Sequence, residues 1–187
     1  MTIEEKVHEV ESVFQKLDEA IAAFQSATGI HCKFGCGKCC FKPDIEATPL
    51  EFLPFALHLY KEGNAESWYT QLTTHNPQQT TCLILNPTQA GAGLCTEYKH
   101  RGLICRLFGY SARTNKYNEK ELVTCNIIKS EQPEEYKKAT ETKDIPVMSQ
   151  YYMQMHSIDP EMSTEFYPIN VAIRKAIESV LHYYAYR

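Results

Sequence analysis

The stretch CKFGCGKCC, residues 32–40, carries four of the eight cysteines of this chain. Gly35 and Gly37 lie inside it and favour a loop over a regular helix. Cysteines at this density are typical of disulfide frameworks or of metal sites. Either kind of link would tie the loop to other parts of the chain, so the choice between them decides what holds the fold together.

The other four cysteines are spread over the middle of the chain: Cys82, Cys95, Cys105 and Cys125. Three short apolar runs around them have the composition of β-strands: CLIL from residue 82, LICRLFGYSAR from residue 103 and ELVTCNII from residue 121. Asn86 and Pro87 are expected to end the first run, and a polar turn from Thr114 to Lys120 separates the other two. The sequence therefore predicts a small, partly irregular β element that holds the later cysteines.

Helices are predicted on both sides of this element. Residues 3 to about 27 carry apolar side chains at helical spacing: Ile3, Val7, Val10, Phe14, Leu17, Ile21 and Phe24. Thr48, Pro49 and Glu51 form a capping signature for a second helix. A shorter helix is expected from Asn64 to about Thr74.

The C-terminal third is predicted to be helical as well. Helices are expected after Pro133 and after Pro146, and the last one begins near Asn170. This last helix places five residues on one face: Ile173, Ile177, Val180, Leu181 and Tyr184.

These patterns predict a mainly α fold with a small β or irregular cysteine-rich segment, an α+β arrangement of helices packed around a metal-binding middle. At 187 residues the chain is long enough to bury a core without disulfides. We expect a single domain over residues 1–187, with a metal-binding core at 30–126 and helical flanks at 1–29 and 127–187.

Charge and hydropathy argue against several classes of partner. The net charge is −4, so no basic surface predicts nucleic-acid binding. No apolar run approaches a membrane span, and the opening MTIEEKVHEVESVFQKL lacks the apolar region of a signal peptide. We therefore expect no membrane association and a cytoplasmic protein, in a compartment where thiols stay reduced. This favours metal binding, with disulfides or free thiols as the alternative.

All eight cysteines are candidate metal ligands: Cys32, Cys36, Cys39, Cys40, Cys82, Cys95, Cys105 and Cys125. Thiolate is a soft ligand that selects zinc, copper(I) or iron–sulfur centres, and four thiolates suit either zinc or an iron cluster. Neighbouring side chains point apart in regular backbone, so one ion would rarely take both Cys39 and Cys40. Either they serve different metals or one of them is not a ligand. Two sites of four cysteines and one site with spare thiols both remain open.

Three other side chains are secondary candidates. His31 adjoins the first run and His100 lies between Cys95 and Cys105, where either could replace a cysteine on zinc, although a supporting or surface role is favoured. Arg106 follows Cys105 directly and is a candidate cofactor-binding residue, because its N–H groups would offset thiolate charge. The competing interpretation of Arg106 is a surface cation.

No catalytic motif accompanies the cysteines, since nucleophile elbow, zinc-protease, phosphate-loop and dinucleotide-binding patterns are all missing from the sequence. Cys36 and Cys39 form a C-x-x-C pair that could be redox-active, but the βαβ setting of thioredoxin-like proteins is missing. The spacing of Cys32, Cys36 and Cys39 is also that of radical S-adenosylmethionine enzymes, which hold a [4Fe–4S] cluster on three cysteines. Those enzymes use a large α/β barrel, and this short chain does not predict one.

The cysteine run and the segments after it resemble the CxxCxxCC family of zinc- or iron-chelating proteins, also called the YkgJ-like cysteine-cluster family. The likeness covers about residues 30–126 and rests on these segments: the run at residues 32–40, Ile45 with Thr48-Pro49-Glu51, Cys82-Leu-Ile-Leu, Cys95-Thr-Glu-Tyr, Leu103-Ile-Cys105-Arg106-Leu-Phe, and Cys125 as the last cysteine. Gly102 and Leu83 depart from the family pattern, because each stands where proline is usual.

The resemblance implies metal binding through the cysteines and does not imply a reaction. The leading hypothesis is a cytoplasmic metal-binding protein that holds zinc or an iron–sulfur centre, a [4Fe–4S] cluster being one form. The alternatives are a cluster-dependent enzyme, either an oxidoreductase or a protein methyl transferase, and a metal carrier or interaction module with a protein partner. Whether the protein is an enzyme stays open at this point.

Overall fold

The structure is a computed structural model that describes residues 1–33, 35–74, 81–89 and 92–186. Within these residues the α-helices are, in chain order, α1 (Ile3–Thr28), α2 (Leu53–Lys61), α3 (Ala65–Thr74), α4 (Leu103–Leu107), α5 (Asn126–Glu131), α6 (Pro133–Glu141), α7 (Met148–Ile158), α8 (Pro160–Thr164) and α9 (Ile169–Ala185). Short strands form antiparallel pairs: β1 (Glu46–Ala47) with β6 (Tyr167–Pro168), β2 (Leu85–Gln89) with β3 (Ala92–Cys95), and β4 (Ser111–Thr114) with β5 (Lys120–Val123). The predicted mainly α fold with a small β component is confirmed.

The long helix α1 carries one wall of the main core. It begins at a capping box, in which the Thr2 hydroxyl accepts from the Glu5 N–H and the Glu5 carboxylate accepts from the Thr2 N–H. It ends at Gly29, whose φ of 82° is left-handed. All seven apolar residues that the sequence placed on its inner face are buried. α2 packs between α1 and α9, so these three helices enclose the main core.

The other predicted helices are confirmed, with small shifts at their ends. The signature at Thr48 starts a 3-10 turn, Pro49–Phe52, before α2 begins. The last helix begins at Ile169, one residue before the predicted start, and Ile173, Ile177 and Val180 are fully buried. Helical periodicity located α9 because it buries a single continuous face, whereas α2 was located by its capping signature and is buried nearly all round.

Three of the strand predictions need correction. The run from residue 103 is wrong over its first half, since Leu103–Leu107 form α4. The Ile104 N–H donates to the buried Glu51 carboxylate at 2.8 Å, which satisfies a helix N-terminus from a distant part of the chain. The run from residue 121 likewise turns into α5 after β5 ends at Val123.

The first apolar run also differs from its prediction. β2 begins only at Leu85, and Asn86 and Pro87 lie inside it instead of ending it. β2 and β3 make a two-stranded hairpin, and proline is tolerated on an edge strand where no ladder N–H is needed.

A second, smaller apolar cluster lies apart from the main core and consists of Phe24, Ile30, Ala112, Ile128, Ala139 and Ile145. Cys125 packs against this smaller cluster, whereas Cys40, Cys82, Cys95 and Cys105 belong to the main core or pack against it. The cysteines that pack in the apolar interior are therefore divided between the two clusters, four with the main core and one with the smaller cluster. None of the helices in the described ranges is long and apolar enough to cross a membrane.

Candidate metal centre

The start of the cysteine loop is fixed to Gln132, in the segment that follows the predicted metal-binding core, and to Tyr110. The His31 N–H donates to Gln132 Oε1 at 2.9 Å, and the His31 carbonyl accepts from Gln132 Nε2 at 2.7 Å. The next N–H, of Cys32, donates to the Tyr110 hydroxyl at 2.7 Å. The His31 ring itself lies against the carbonyl of Gly29, with Nδ1 at 3.1 Å. These bonds set where the first thiol can lie.

The middle of the loop is laid on the β2–β3 hairpin. The Gly93 N–H donates to the Gly35 carbonyl at 3.2 Å, and Gly37 lies against the backbone of Gly93. At the end of the cysteine run, the Cys40 carbonyl accepts from the Cys82 N–H at 3.2 Å. The first cysteine run is therefore held beside the β2–β3 hairpin, which ends at Cys95, and beside Cys82, three residues before β2.

None of the eight cysteines is in a disulfide. Their effects on one another's pKa divide them into two groups that meet at Cys39, which acts on thiols of both. The outer cysteine group consists of Cys32, Cys36, Cys39 and Cys125. Burial, and then the neighbouring thiols Cys36, Cys39 and Cys125, raise the pKa of Cys32 to about 11. Residues far apart in sequence thus act on one another's ionisation.

The inner cysteine group consists of Cys40, Cys82, Cys95 and Cys105. Burial raises the pKa of Cys82 to about 11, with smaller contributions from other thiols including Cys95. Burial also raises the pKa of Cys105, and the charges of Cys82, Glu51 and Cys95 add to this effect. Four thiols, from the loop, the segment before β2, β3 and α4, therefore share one apolar environment.

Cys39 and Cys40 lie at the boundary between the two groups. Their sulfurs are 3.9 Å apart, so the expectation that these side chains point apart is wrong. The reason is the short 3-10 turn, Lys38–Phe41, which begins after the left-handed Gly37 and replaces the regular backbone assumed in the prediction. The hydrogen bond between the two sulfurs lowers the pKa of Cys39 and raises that of Cys40.

Arg101 is a cation at the site that the sequence analysis missed. Its charge opposes the rise in the pKa of Cys32 and of Cys95, and it lowers the pKa of Cys39. Its guanidinium lies 4.2 Å from the centre of the Tyr98 ring. The sequence did contain a signal for Arg101, because this residue lies at the start of the family motif that contains Cys105.

Arg106 is a buried cation that packs against α1. It is 6% exposed, so the surface-cation interpretation is wrong. Its Nε and a terminal nitrogen donate to the carbonyls of Arg101 and Lys99 at 3.1 and 2.7 Å, and it pairs with Asp18 and covers the Phe14 ring. These contacts hold the 99–101 turn to α1, and cofactor binding by Arg106 stays a prediction.

Glu51 holds the helix that carries Cys105. Its carboxylate accepts from the Thr48 N–H at 2.9 Å and from the Ile104 N–H at 2.8 Å. The side chain is fully buried, which raises its pKa to about 7. The sequence identified Glu51 as a capping residue but gave no sign of its bond to α4.

A separate group of ligand-type side chains lies outside the cysteines. Within the described residues, His58, Glu97 and His100 are the only three metal-ligating side chains whose ligand atoms all lie within 4.8 Å of one another. By the same measure, no three cysteine sulfurs of the described chain are as near to each other. His100 was considered as a substitute ligand for a cysteine, and the structure places it beside His58.

Comparison with known families agrees with this geometry. The sequence model named CxxCxxCC, described as "Putative zinc- or iron-chelating domain", matches residues 31–126. The chain belongs to the CxxCxxCC family. The resemblance stated from the residues is thereby confirmed, and the match contains all eight cysteines. Neither curated proteins nor solved structures gave a significant match.

This chain has one residue more than the CxxCxxCC pattern between its first two cysteines. Three residues separate Cys32 from Cys36, whereas the family name has two. A turn accommodates the longer spacing, since the Cys36 N–H donates to the Lys33 carbonyl at 3.2 Å and Gly35 has a φ of 71°.

The two positions that lack the usual proline of the CxxCxxCC family have physical reasons. The Leu83 N–H donates to Asn170 Oδ1 at 3.0 Å, a bond that proline cannot make. Gly102 has a φ of −65°, which suits proline, but a Cβ there would lie 2.8 Å from the Phe52 ring. Contacts with Asn170 and Phe52 therefore account for both departures.

Proposed function

We propose that this member of the CxxCxxCC family holds two metal centres, one in the outer and one in the inner cysteine group. The observation that carries the proposal is the convergence of eight free thiols from four separate segments, which we assign to two sets of four that meet at the Cys39–Cys40 pair. Buried thiols packed together without a metal ion resist ionisation, as the raised pKa values of Cys32 and Cys82 indicate. A bound metal ion reverses this effect, because it stabilises the thiolate form.

The spacing of the sulfurs supports iron–sulfur clusters over single zinc ions. Four thiolates about 2.3 Å from one zinc ion have sulfurs about 3.8 Å apart. In the described chain no three cysteine sulfurs lie within 4.8 Å of one another. A cluster of several iron atoms holds its ligand sulfurs further apart than one ion does, so it is the form that we propose for each group. The one sulfur pair at a zinc-like separation, Cys39 and Cys40 at 3.9 Å, is divided between the two groups. When bound, such a centre supplies electron-transfer or Lewis-acid chemistry.

The residues around the cysteines suit an anionic centre in a reducing compartment. Arg101 places a positive charge near both groups, and apolar side chains of the main core cover the inner group. Cys32 and Cys39 are exposed, which leaves the outer group open to a partner or reductant. Eight free thiols persist where disulfides do not form, and we therefore place the protein in the cytoplasm.

The test is elemental analysis with an absorption spectrum on protein purified without air. The proposal predicts a coloured protein in which iron is matched by acid-labile sulfide. A colourless protein with two zinc ions would keep the two centres and overturn the iron assignment. Protein that binds no metal tightly, and whose thermal unfolding is unchanged by a chelator, would overturn the proposal as a whole.

A further inference from the structure

His58, Glu97 and His100 form a cluster of nitrogen and oxygen ligands in which no cysteine takes part. His58 lies in the last turn of α2, whereas Glu97 and His100 belong to the turn that follows β3. The cluster is therefore assembled by packing of two segments that are distant in sequence. Glu97 and His100 lie near each other because they are three residues apart in the sequence, whereas only tertiary packing brings His58 to them.

Packing holds the two imidazole rings in place. The rings of His58 and His100 are stacked, with centroids 4.3 Å apart and planes at 21°. The ring of Phe55 lies 6.2 Å from the centroid of His100. His100 Nδ1 is 3.3 Å from Glu97 Oε2. The side chains of His100 and Glu97 are 16% and 28% exposed, so the cluster is ordered yet reachable from water.

Two imidazoles and a carboxylate are the ligand set of zinc sites that keep one position open for water. Imidazole also suits the other divalent metals of the first transition row. The ligand atoms already lie within 4.8 Å of one another. The two stacked rings turn from their nearly parallel arrangement so that a nitrogen of each faces the same ion. We propose that His58, Glu97 and His100 bind a divalent transition-metal ion, with zinc as the leading candidate. This site goes beyond the two cysteine centres and uses harder ligands.

The cluster adjoins the inner cysteine group without sharing a ligand with it. Glu97 follows Cys95 by two residues, and its backbone N–H and its charge both act on the Cys95 thiol. The harder ligands bind a zinc ion that exchanges with solvent, whereas the thiolates retain their own metal. Three protein ligands hold zinc less firmly than four thiolates in a closed site.

The experiment is equilibrium dialysis of the full-length protein against Zn²⁺, with its cysteine centres already loaded, followed by elemental analysis. The variant His58→Ala/His100→Ala is compared with wild type and with His8→Ala/His182→Ala, which removes two exposed histidines elsewhere. We expect one zinc ion per chain fewer in the first variant and no change in the second. Equal zinc content in all three proteins overturns the proposal.

Loss of the two stacked rings could unfold the variant, so two further measurements keep the test decisive. Glu97→Gln preserves the shape of a half-exposed side chain, and we expect it to weaken zinc binding at least tenfold. In wild type, saturating Zn²⁺ is expected to shift the imidazole ¹⁵N resonances of His58 and His100, and unmoved resonances count against the site. The metal retained on the cysteines is measured in the same samples, so failure here is distinct from failure of the cysteine centres.

Discussion

Gly37 packs directly on the backbone of Gly93, so that a Cβ added to Gly37 would lie 2.8 Å from the Gly93 carbonyl oxygen and 2.9 Å from its nitrogen. Gly37 also has a left-handed φ of 56°, which side-chain-bearing residues rarely adopt. This contact joins the first cysteine run to β3, and β3 ends at Cys95. The meeting of the two cysteine-bearing segments depends on it.

We therefore expect Gly37→Ala to lower both the stability and the metal content of the protein. Gly35→Ala is the matched control, because Gly35 shares the left-handed φ, at 71°, but a Cβ there meets nothing within 4 Å. The control should lose about 1–2 kcal/mol from backbone strain alone, and Gly37→Ala should lose clearly more. Urea unfolding and elemental analysis measure both effects, and equal losses in the two variants would contradict the role of the contact.

Removal of the Glu51 side chain is expected to release α4 and with it Cys105. Glu51→Ala leaves the N–H groups of Thr48 and Ile104 buried without their acceptor, so we expect a loss on the order of 3 kcal/mol. The control is Glu46→Ala, since Glu46 is exposed and should be nearly neutral. Thermal unfolding of both variants checks this, and a neutral Glu51→Ala would show that the bond to α4 is not needed.

The contacts made by Gly37 and Glu51 could not be predicted from the sequence. The helices α1 and α9 were predictable because their apolar residues recur at helical spacing on one strip. The helix α4 was not, because it is only five residues long and its N-terminus is satisfied by Glu51, which lies far away in the chain. A local pattern carries no information about such a partner.

The candidate metal centre was also predictable only in part. All eight cysteines were identifiable from density and spacing, and the family match followed from the same segments. Their division into two groups depends on the 3-10 turn at Cys39 and Cys40 and on the contact of Gly37 with the hairpin, neither of which has a local signature. His58 was missed for the same reason, because only tertiary packing brings α2 to the turn at His100.

The ion pair between Lys6 and Asp159 makes a contribution to the free energy of unfolding that depends on pH. Burial by itself raises the pKa of Asp159, but the Lys6 ammonium at 2.6 Å and the Met162 N–H outweigh it, so the pKa lies below its ordinary value. A carboxyl group with a lowered folded-state pKa stabilises the protein above its unfolded-state pKa, about 3.9. That contribution is lost as the pH falls through the lower folded-state value.

Asp159→Asn keeps an acceptor for the start of α8 and removes only the charge. We expect it to cost about 1 kcal/mol at neutral pH, and the difference from wild type should vanish once the pH falls below the lowered folded-state pKa of Asp159. Urea unfolding over a pH series measures this, with Glu178→Gln as an exposed control that changes the same formal charge. A difference that stays constant down to acidic pH would show that the ion pair is not responsible.

The most direct test of the account is the metal content of anaerobically purified wild type, Cys125→Ala and Cys82→Ala. Cys125 belongs to the outer cysteine group and Cys82 to the inner one, so each substitution removes a ligand from a different centre. If each group of four cysteines holds one centre, each single variant keeps about half of the wild-type metal and the double variant keeps none. Full metal content in either single variant, or wild-type protein without tightly bound metal, would contradict two centres of four cysteines each.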